Sequence, residues 1–209
     1  MRILFLSRWF PYPPNNGSKI RIYNLINGLS KHHDVTLLSF ADQPANTIEM
    51  RKFCAEVKIV PWREFDPTRW KARLGIFRLE PRSIVDTYSL EMAVAITETL
   101  RAGKHDLIIA SQLQMAAYAR RFRQIPSIFE ELEIGLFHDR AFSRATGKLH
   151  LRSALTWFKL RLYLSRLLDT FRACTVASRE EDQLLHRNFP EFQKPVAIIP
   201  NGVDINEYR

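Results

Sequence analysis

Seven short apolar runs punctuate the chain: Ile3–Leu6, Val35–Leu38, Val57–Val60, Leu107–Ala110, Ser127–Phe129, Ala173–Ala177 and Val196–Ile199. Most lack strict alternation of polar and apolar residues. A run with no polar face reads as a strand covered on both sides, as in a parallel sheet between two layers of helices. The segments between them carry the helical period instead. In Ser18 to Lys31, the residues Ile22, Leu25, Ile26 and Leu29 fall at the i, i+3, i+4, i+7 spacing of one apolar stripe. Glu91 to Leu100 is a second helix. Ser178 with Glu181 has the spacing of a capping box, opening a helix through about His186. Strands alternating with helices predict a doubly wound, mostly parallel, Rossmann-like α/β domain.

Lys148 to Arg172 reads as one long helix with two apolar faces. Leu151, Leu155, Phe158 and Leu162 form one; Trp157, Leu160, Leu164, Leu167 and Leu168 form the other. Lys148, Arg152, Lys159 and Arg166 fall on a narrow cationic stripe between them. This pattern fits a core helix with a solvated charged edge. It also fits a surface helix resting on anionic lipid headgroups. Pro61 to Pro81 lacks either period and is expected to be an irregular insertion with one short helix.

The composition is that of a globular chain, with 209 residues, 46% hydrophobic and 25% charged. Charge changes the picture more: the net value is +9. From His138 to Arg172, eight Lys and Arg stand against Asp139 and Asp169, so +6 of the +9 lies there. Such an excess suits nucleic acid, anionic lipid or an anionic small substrate. Nucleic acid has no further support, since no helix-turn-helix signature, zinc spacing or basic-aromatic strand surface is present. Cys54 and Cys174 are far apart and belong to no C-x-x-C pair, which fits a reduced, cytoplasmic setting. The N-terminal run is too short for a signal peptide, and no stretch approaches the ~18 apolar residues of a membrane span.

Chemistry concentrates where strands meet helices. Ser7 to Ser18 joins the first strand to the first helix and contains Pro11, Pro13 and Pro14, which forbid helix, followed by Asn16-Gly17. Gly17 lets backbone approach a ligand, and Ser18 stands near a helix N-terminus, where free N–H groups favour an anion. The loop is not G-x-G-x-x-G, so a nicotinamide dinucleotide is not indicated.

These segments also carry a resemblance. Gly17-Ser18 with Arg21, then Asn24 to Leu29, then His33 to Leu38, is similar to the start of a family 4 retaining glycosyltransferase of the GT-B fold. Cys174 to Asp182 resembles that family's strand-to-helix step. Ala197 to Tyr208, with Pro200-Asn201-Gly202-Val203-Asp204, resembles its junction into the interdomain linker. The resemblance implies residues 1–200 as the N-terminal, acceptor-side domain and 201–209 as the start of the linker, with the donor-binding domain absent. It implies transfer of a sugar from a nucleotide sugar to a glycan or lipid-linked acceptor, with no metal and no cofactor. Polysaccharide or glycolipid synthesis is the expected setting, with peripheral contact to anionic membrane. The loop at Gly17 and Ser18 would help place the donor phosphate. The chain alone would be inactive, because the family's donor-side basic residues and paired glutamates lie in the second domain.

If the first and fourth strands flank the point where strand order reverses, Ser111 and Gln112 face Gly17 across the crevice. Glu130 and Glu131 follow the next strand, and a carboxylate there orients or deprotonates an acceptor hydroxyl. Glu131 is the candidate catalytic residue. A solvated acidic loop balancing Arg120, Arg121 and Arg123 is the competing reading of the same residues. Arg8 and Arg21 are candidates for an anionic acceptor or the donor phosphate, because the guanidinium fork suits both. A standalone α/β binding or regulatory remnant is the alternative to an enzyme half.

Overall fold

The computed structural model describes residues 1–42, 45–135, 138–139 and 148–202, with the side chains of 148–153 left aside. Residues 203–209, expected to enter a linker, lie outside the described residues. All seven apolar runs are strands: β1 (Arg2–Ser7), β2 (Asp34–Ala41), β3 (Glu56–Pro61), β4 (Leu107–Ser111), β5 (Ser127–Glu130), β6 (Ala173–Val176) and β7 (Val196–Ile198). They pair in parallel in the order β3-β2-β1-β4-β5-β6-β7.

The reason for the unbroken apolar runs is visible in β1. Ile3, Leu4, Phe5 and Leu6 are all fully buried. Because side chains alternate across a strand, Ile3 and Phe5 pack with Ile22 and Ile26 on one face, while Leu4 and Leu6 pack with Met92 and Ile96 on the other. The first pair of isoleucines belongs to α1 (Gly17–Ser30), capped by Asn16, whose Oδ1 accepts from the Lys19 N–H at 3.0 Å. Met92 and Ile96 belong to α4 (Leu90–Ala102), capped by Ser89.

Between β3 and α4 the expected irregular insertion holds α2 (Trp70–Leu74), with a second short helix, α3 (Arg82–Thr87), just past its end. Another short helix, α5 (Gln112–Ala116), leaves β4 directly, and the sequence period gave no sign of it. Helices of five or six residues are too short to display a stripe.

The long helix is α6 (Lys148–Leu168), ending four residues before Arg172. Its stop has a cause: the Arg172 N–H donates to the Ser127 carbonyl at 2.8 Å, so that residue already belongs to the sheet. Only one of its two apolar faces enters the core. Trp157, Leu160, Leu164, Leu167 and Leu168 are buried, whereas Leu155, Phe158 and Leu162 are exposed. Lys159 is tied down, donating to the Gly75 and Ile76 carbonyls at 2.9 Å each. Side chains of Lys148, Leu151 and Arg152 lie outside the described set.

The last helix, α7 (Arg179–Asn188), begins as expected, with Ser178 Oγ accepting from the Glu181 N–H at 3.2 Å. The second half of the box is diverted. Glu181 instead accepts from the N–H groups of Ile134 and Gly135 at 3.0 Å each, pinning the loop after β5. An added Cβ at Gly135 would stand 2.5 Å from Glu181 Oε1, so only glycine fits this contact without a shift. Both cysteines are free and buried, and burial pushes each thiol up to about 12.

Candidate functional site

The chain winds outward from β1 through β2 to β3, then returns to place β4 on the other side of β1. The point of reversal lies between β1 and β4, where open α/β sheets form their ligand crevice at the carboxyl ends of the strands. Ser7, Ser111 and Glu130 are the last residues of β1, β4 and β5. Ser111 and Glu130 are register partners, so their side chains meet on one face, and Ser111 Oγ donates to Glu130 Oε2 at 2.6 Å.

Arg21 reaches the same carboxylate from the first turns of α1. Its Nε donates to Glu130 Oε1 at 2.6 Å and lies 3.8 Å from Glu131 Oε1. Its Nη1 donates to the Ile199 carbonyl and to Asn201 Oδ1, the latter at 3.2 Å. Both partners of the Arg21–Glu130 pair are buried, and Nη2 has no acceptor among the described residues. Arg21 therefore joins α1, β5 and the exit from β7.

Gln112 and Glu131 come next along the chain, one step past β4 and β5. Both adopt the left-handed conformation, with φ of 68° and 56°. For side-chain-bearing residues this costs roughly 1–3 kcal/mol each and persists only where surrounding contacts fix it. Those contacts are present. Gln112 Nε2 donates to Glu131 Oε2 at 2.8 Å and to Ser18 Oγ at 3.3 Å. The N–H groups of Glu131 and Leu132 donate to Thr175 Oγ1 and to the Thr175 carbonyl, at 3.0 and 2.8 Å. Ser18, Gln112 and Glu131 thus form one chain of contacts across the crevice.

Glu130 and Glu131 are buried, so a solvated acidic loop is not what these residues make. Burial raises the Glu131 carboxyl above the ordinary carboxylate range, and the Glu130 charge raises it further. The Gln112 hydrogen bond and the Arg21 guanidinium oppose this in part.

Opposite stands the loop between β1 and α1. The Ser7 hydroxyl locks its start, donating to the Trp9 carbonyl at 2.6 Å and accepting from the Trp9 N–H at 3.2 Å. At its end, Asn16 takes up the N–H groups of Lys19 and Ile20 through its side chain and carbonyl. Those of Gly17 and Ser18 find no acceptor among the described residues. No acidic residue sits in this first turn, and nothing lies within 4 Å of where a Cβ on Gly17 would be. Open N–H groups at a helix start attract an anion.

Arg8 lies buried in the same loop. Its guanidinium carbon sits 4.0 Å from the Trp9 ring centre and 3.3 Å from that of Trp62. Burial lowers it to about 10, against the pull of Asp42, 3.7 Å from Nη1. That nitrogen makes no hydrogen bond among the described residues.

The predicted residues therefore fall into two groups. Arg21 and Ser111 both bond Glu130 beneath the edge. Ser18, Gln112 and Glu131 line the crevice beside Gly17, while Arg8 packs against Trp9 and Trp62 in the loop after β1. Sequence reasoning missed Thr175, Trp62 and Asp42 as supporting partners. Thr175 was legible only as a polar residue inside the apolar run Ala173–Ala177, and Trp62 sat in a stretch without periodicity. A cavity of about 1030 Å³ lies away from this edge, between α2, α6 and the segment 117–123.

Comparison with known proteins adds identity to the geometry. The family described as Glycosyltransferase Family 4 matches residues 15–207. No curated protein sequence matches the chain. Among solved structures the chain is similar to Phytolacca americana UGT2, solved with UDP-2-fluoroglucose and pterostilbene (TM-score 0.56, 10% identity, 100% of this chain and 56% of that one). It is also similar to sucrose-phosphate synthase from Thermosynechococcus elongatus (TM-score 0.51, 13% identity, 98% and 91%). A third is the UDP-GlcNAc 2-epimerase of Methanocaldococcus jannaschii (TM-score 0.53, 12% identity, 96% and 46%). At these identities the likeness is one of fold, and the chain spans about half of the first and third. A Rossmann-like sheet that reverses at β1 and β4, a helix opening at Gly17, and a family match over nearly the whole length lead to one conclusion: the chain is a glycosyltransferase domain belonging to Glycosyltransferase Family 4.

Proposed function

We propose that this domain forms the acceptor side of a retaining GT-B glycosyltransferase, which moves a sugar from a nucleotide sugar to a glycan or lipid-linked acceptor. Solved neighbours hold UDP or UDP-sugars, which supports a nucleotide-sugar donor. The observation that carries the reading is the contact chain Ser18–Gln112–Glu131 at the strand reversal. Glu131 orients the acceptor hydroxyl and accepts its proton; a raised carboxyl is a better base for that task than an ordinary one. Gln112 holds the carboxylate in place from the left-handed position. The open N–H groups of Gly17 and Ser18 receive a donor phosphate oxygen, and the Arg8 guanidinium, braced by two indoles, adds positive charge to that loop. Arg21, Glu130 and Ser111 position the carboxylate pair.

The donor's nucleotide is bound by a second domain, so the chain by itself does not turn over. The test is transfer of labelled sugar from a panel of nucleotide sugars to glycan and lipid acceptors, by the chain alone and with a donor-binding domain supplied. Transfer is expected only with both, and Glu131→Gln is expected to lower it by roughly 10²–10⁴-fold. Full activity of Glu131→Gln would remove that residue from its role. Absence of transfer from every nucleotide sugar would favour a binding remnant.

A further inference from the structure

The chain leaves β7 along a lightly held edge. That strand is three residues long, and Ala197 and Ile198 are exposed. Pro200 follows and has no N–H to donate. Among the described residues, the hydrogen bonds that fix residues 199–201 end on Val176 and on Arg21. The Ile199 N–H donates to the Val176 carbonyl at 2.9 Å. Arg21 Nη1 donates to the Ile199 carbonyl and, at 3.2 Å, to Asn201 Oδ1. Asn201 is exposed, yet its oxygen meets a buried guanidinium 180 positions away in sequence.

Arg21 spends its donors in two directions. Nε holds Glu130 and lies 3.8 Å from Glu131 Oε1, while Nη1 serves Ile199 and Asn201. A guanidinium is planar and rigid, so its two ends cannot move independently. Glu131 is the residue after Glu130, held at positive φ by Gln112 and Thr175. A displacement of Asn201 reaches the carboxylates through this one rigid group rather than through a series of flexible side chains.

We propose that Asn201 is a positioning residue for the Glu130–Glu131 pair, acting through Arg21, so that the path of the chain past β7 and the geometry of the candidate base are set together. Asn-Gly after a strand predicts only a turn; the bond to Arg21 gives Asn201 a second task. The proposal deepens the sugar-transfer reading and rests on it for the role of Glu131.

Electrostatics supply the readout. Burial and Glu130 raise the Glu131 carboxyl, while Gln112 and Arg21 oppose them. The charged groups facing it are Arg21 from α1, with Glu130 and Glu133 on its own segment; Gln112 and Thr175 are neutral partners. Without Asn201 Oδ1 the guanidinium loses a fixed point, and its mean distance from Glu131 grows. A retreat of roughly one ångström at an effective dielectric of about 20 raises the carboxyl by about half a pH unit.

The measurement is an NMR titration of the Glu131 side-chain carboxyl in the 209-residue chain, wild type and Asn201→Ala. The variant is expected to titrate about half a pH unit higher. In an Arg21→Met background, where the relay is gone, Asn201→Ala should move the midpoint no further. Should Arg21→Met fail to fold, the Asn201 side-chain amide of the wild type decides, because its resonance should follow the Glu131 midpoint. With a donor-binding domain supplied, Asn201→Ala should lower kcat about threefold at pH below that midpoint, matching the loss of ionised carboxyl, and leave the acceptor KM unchanged. An unchanged or lowered midpoint in Asn201→Ala, a further shift in the Arg21→Met background, or an Asn201 amide blind to the titration would overturn the proposal. Sugar transfer observed beside any of these would leave the reaction reading intact. A raised midpoint without transfer from any nucleotide sugar would support the coupling and end the reaction reading.

Discussion

The arginine beneath the carboxyl edge and the arginines of the lateral groove, the cavity between α2, α6 and the segment 117–123, follow opposite rules. Arg21 is buried, bonded to Glu130, to a backbone carbonyl and to Asn201. Arg120, Arg121, Arg123 and Arg78 are exposed and have no carboxylate partner among the described residues. In the first region Arg21 and Glu130 are paired inside the protein, and two residues are held in the left-handed conformation by contacts that converge on them. In the second, charge and apolar surface both face outward. Residue type alone does not distinguish internal scaffolding from surface charge; the presence of a partner does.

Mutation separates the two regions by size of effect. Arg21→Met leaves Glu130 buried without its cation, which should cost about 3–5 kcal/mol in urea unfolding. If the loss were under ~1 kcal/mol, the edge would be no more tightly built than the groove. Ser111→Ala removes the other bond to Glu130 and should cost about 1.5–3 kcal/mol, the range for hydrogen bonds to charged groups.

Glu131→Gln sharpens the comparison through pH. Because the folded carboxyl is raised above its unfolded value, its contribution to stability is fully present below the unfolded pKa and is lost as pH rises through the folded one. The glutamine variant should therefore melt higher than wild type near neutrality, with the gap closing or reversing as pH falls below the ordinary glutamate range. A gap independent of pH would mean that the carboxylate is not destabilised by its surroundings. The smallest effect belongs to the groove: Arg120→Gln, Arg121→Gln and Arg123→Gln should each change stability by no more than about 0.5 kcal/mol. A larger loss in thermal or urea melts would place these arginines among the structural ones.

Local signals carried much of the outcome. The apolar runs announced all seven strands because a parallel strand buried on both faces has no polar residues to interrupt it. Gly17, Ser18, Ser111, Gln112, Glu130 and Glu131 were legible as site candidates because each falls where a strand ends or a helix begins. The Ser178 cap was legible too, since an N-cap is a bond between near neighbours. The destination of the Glu181 side chain was not, because its carboxylate bonds backbone 46 and 47 residues away.

By itself, then, the sequence determined the positions of the described strands, their alternation with helices and the candidate residues at strand ends, because these follow from the local pattern of residues. Only the tertiary structure decided which apolar face of α6 is covered, because both faces have the same period. It alone joined Arg21 to Glu130 across 109 positions and left Arg120, Arg121 and Arg123 without a carboxylate among the described residues. The physical reason is common to these cases: burial and pairing are properties of neighbours in space, and the folded sheet chooses those neighbours.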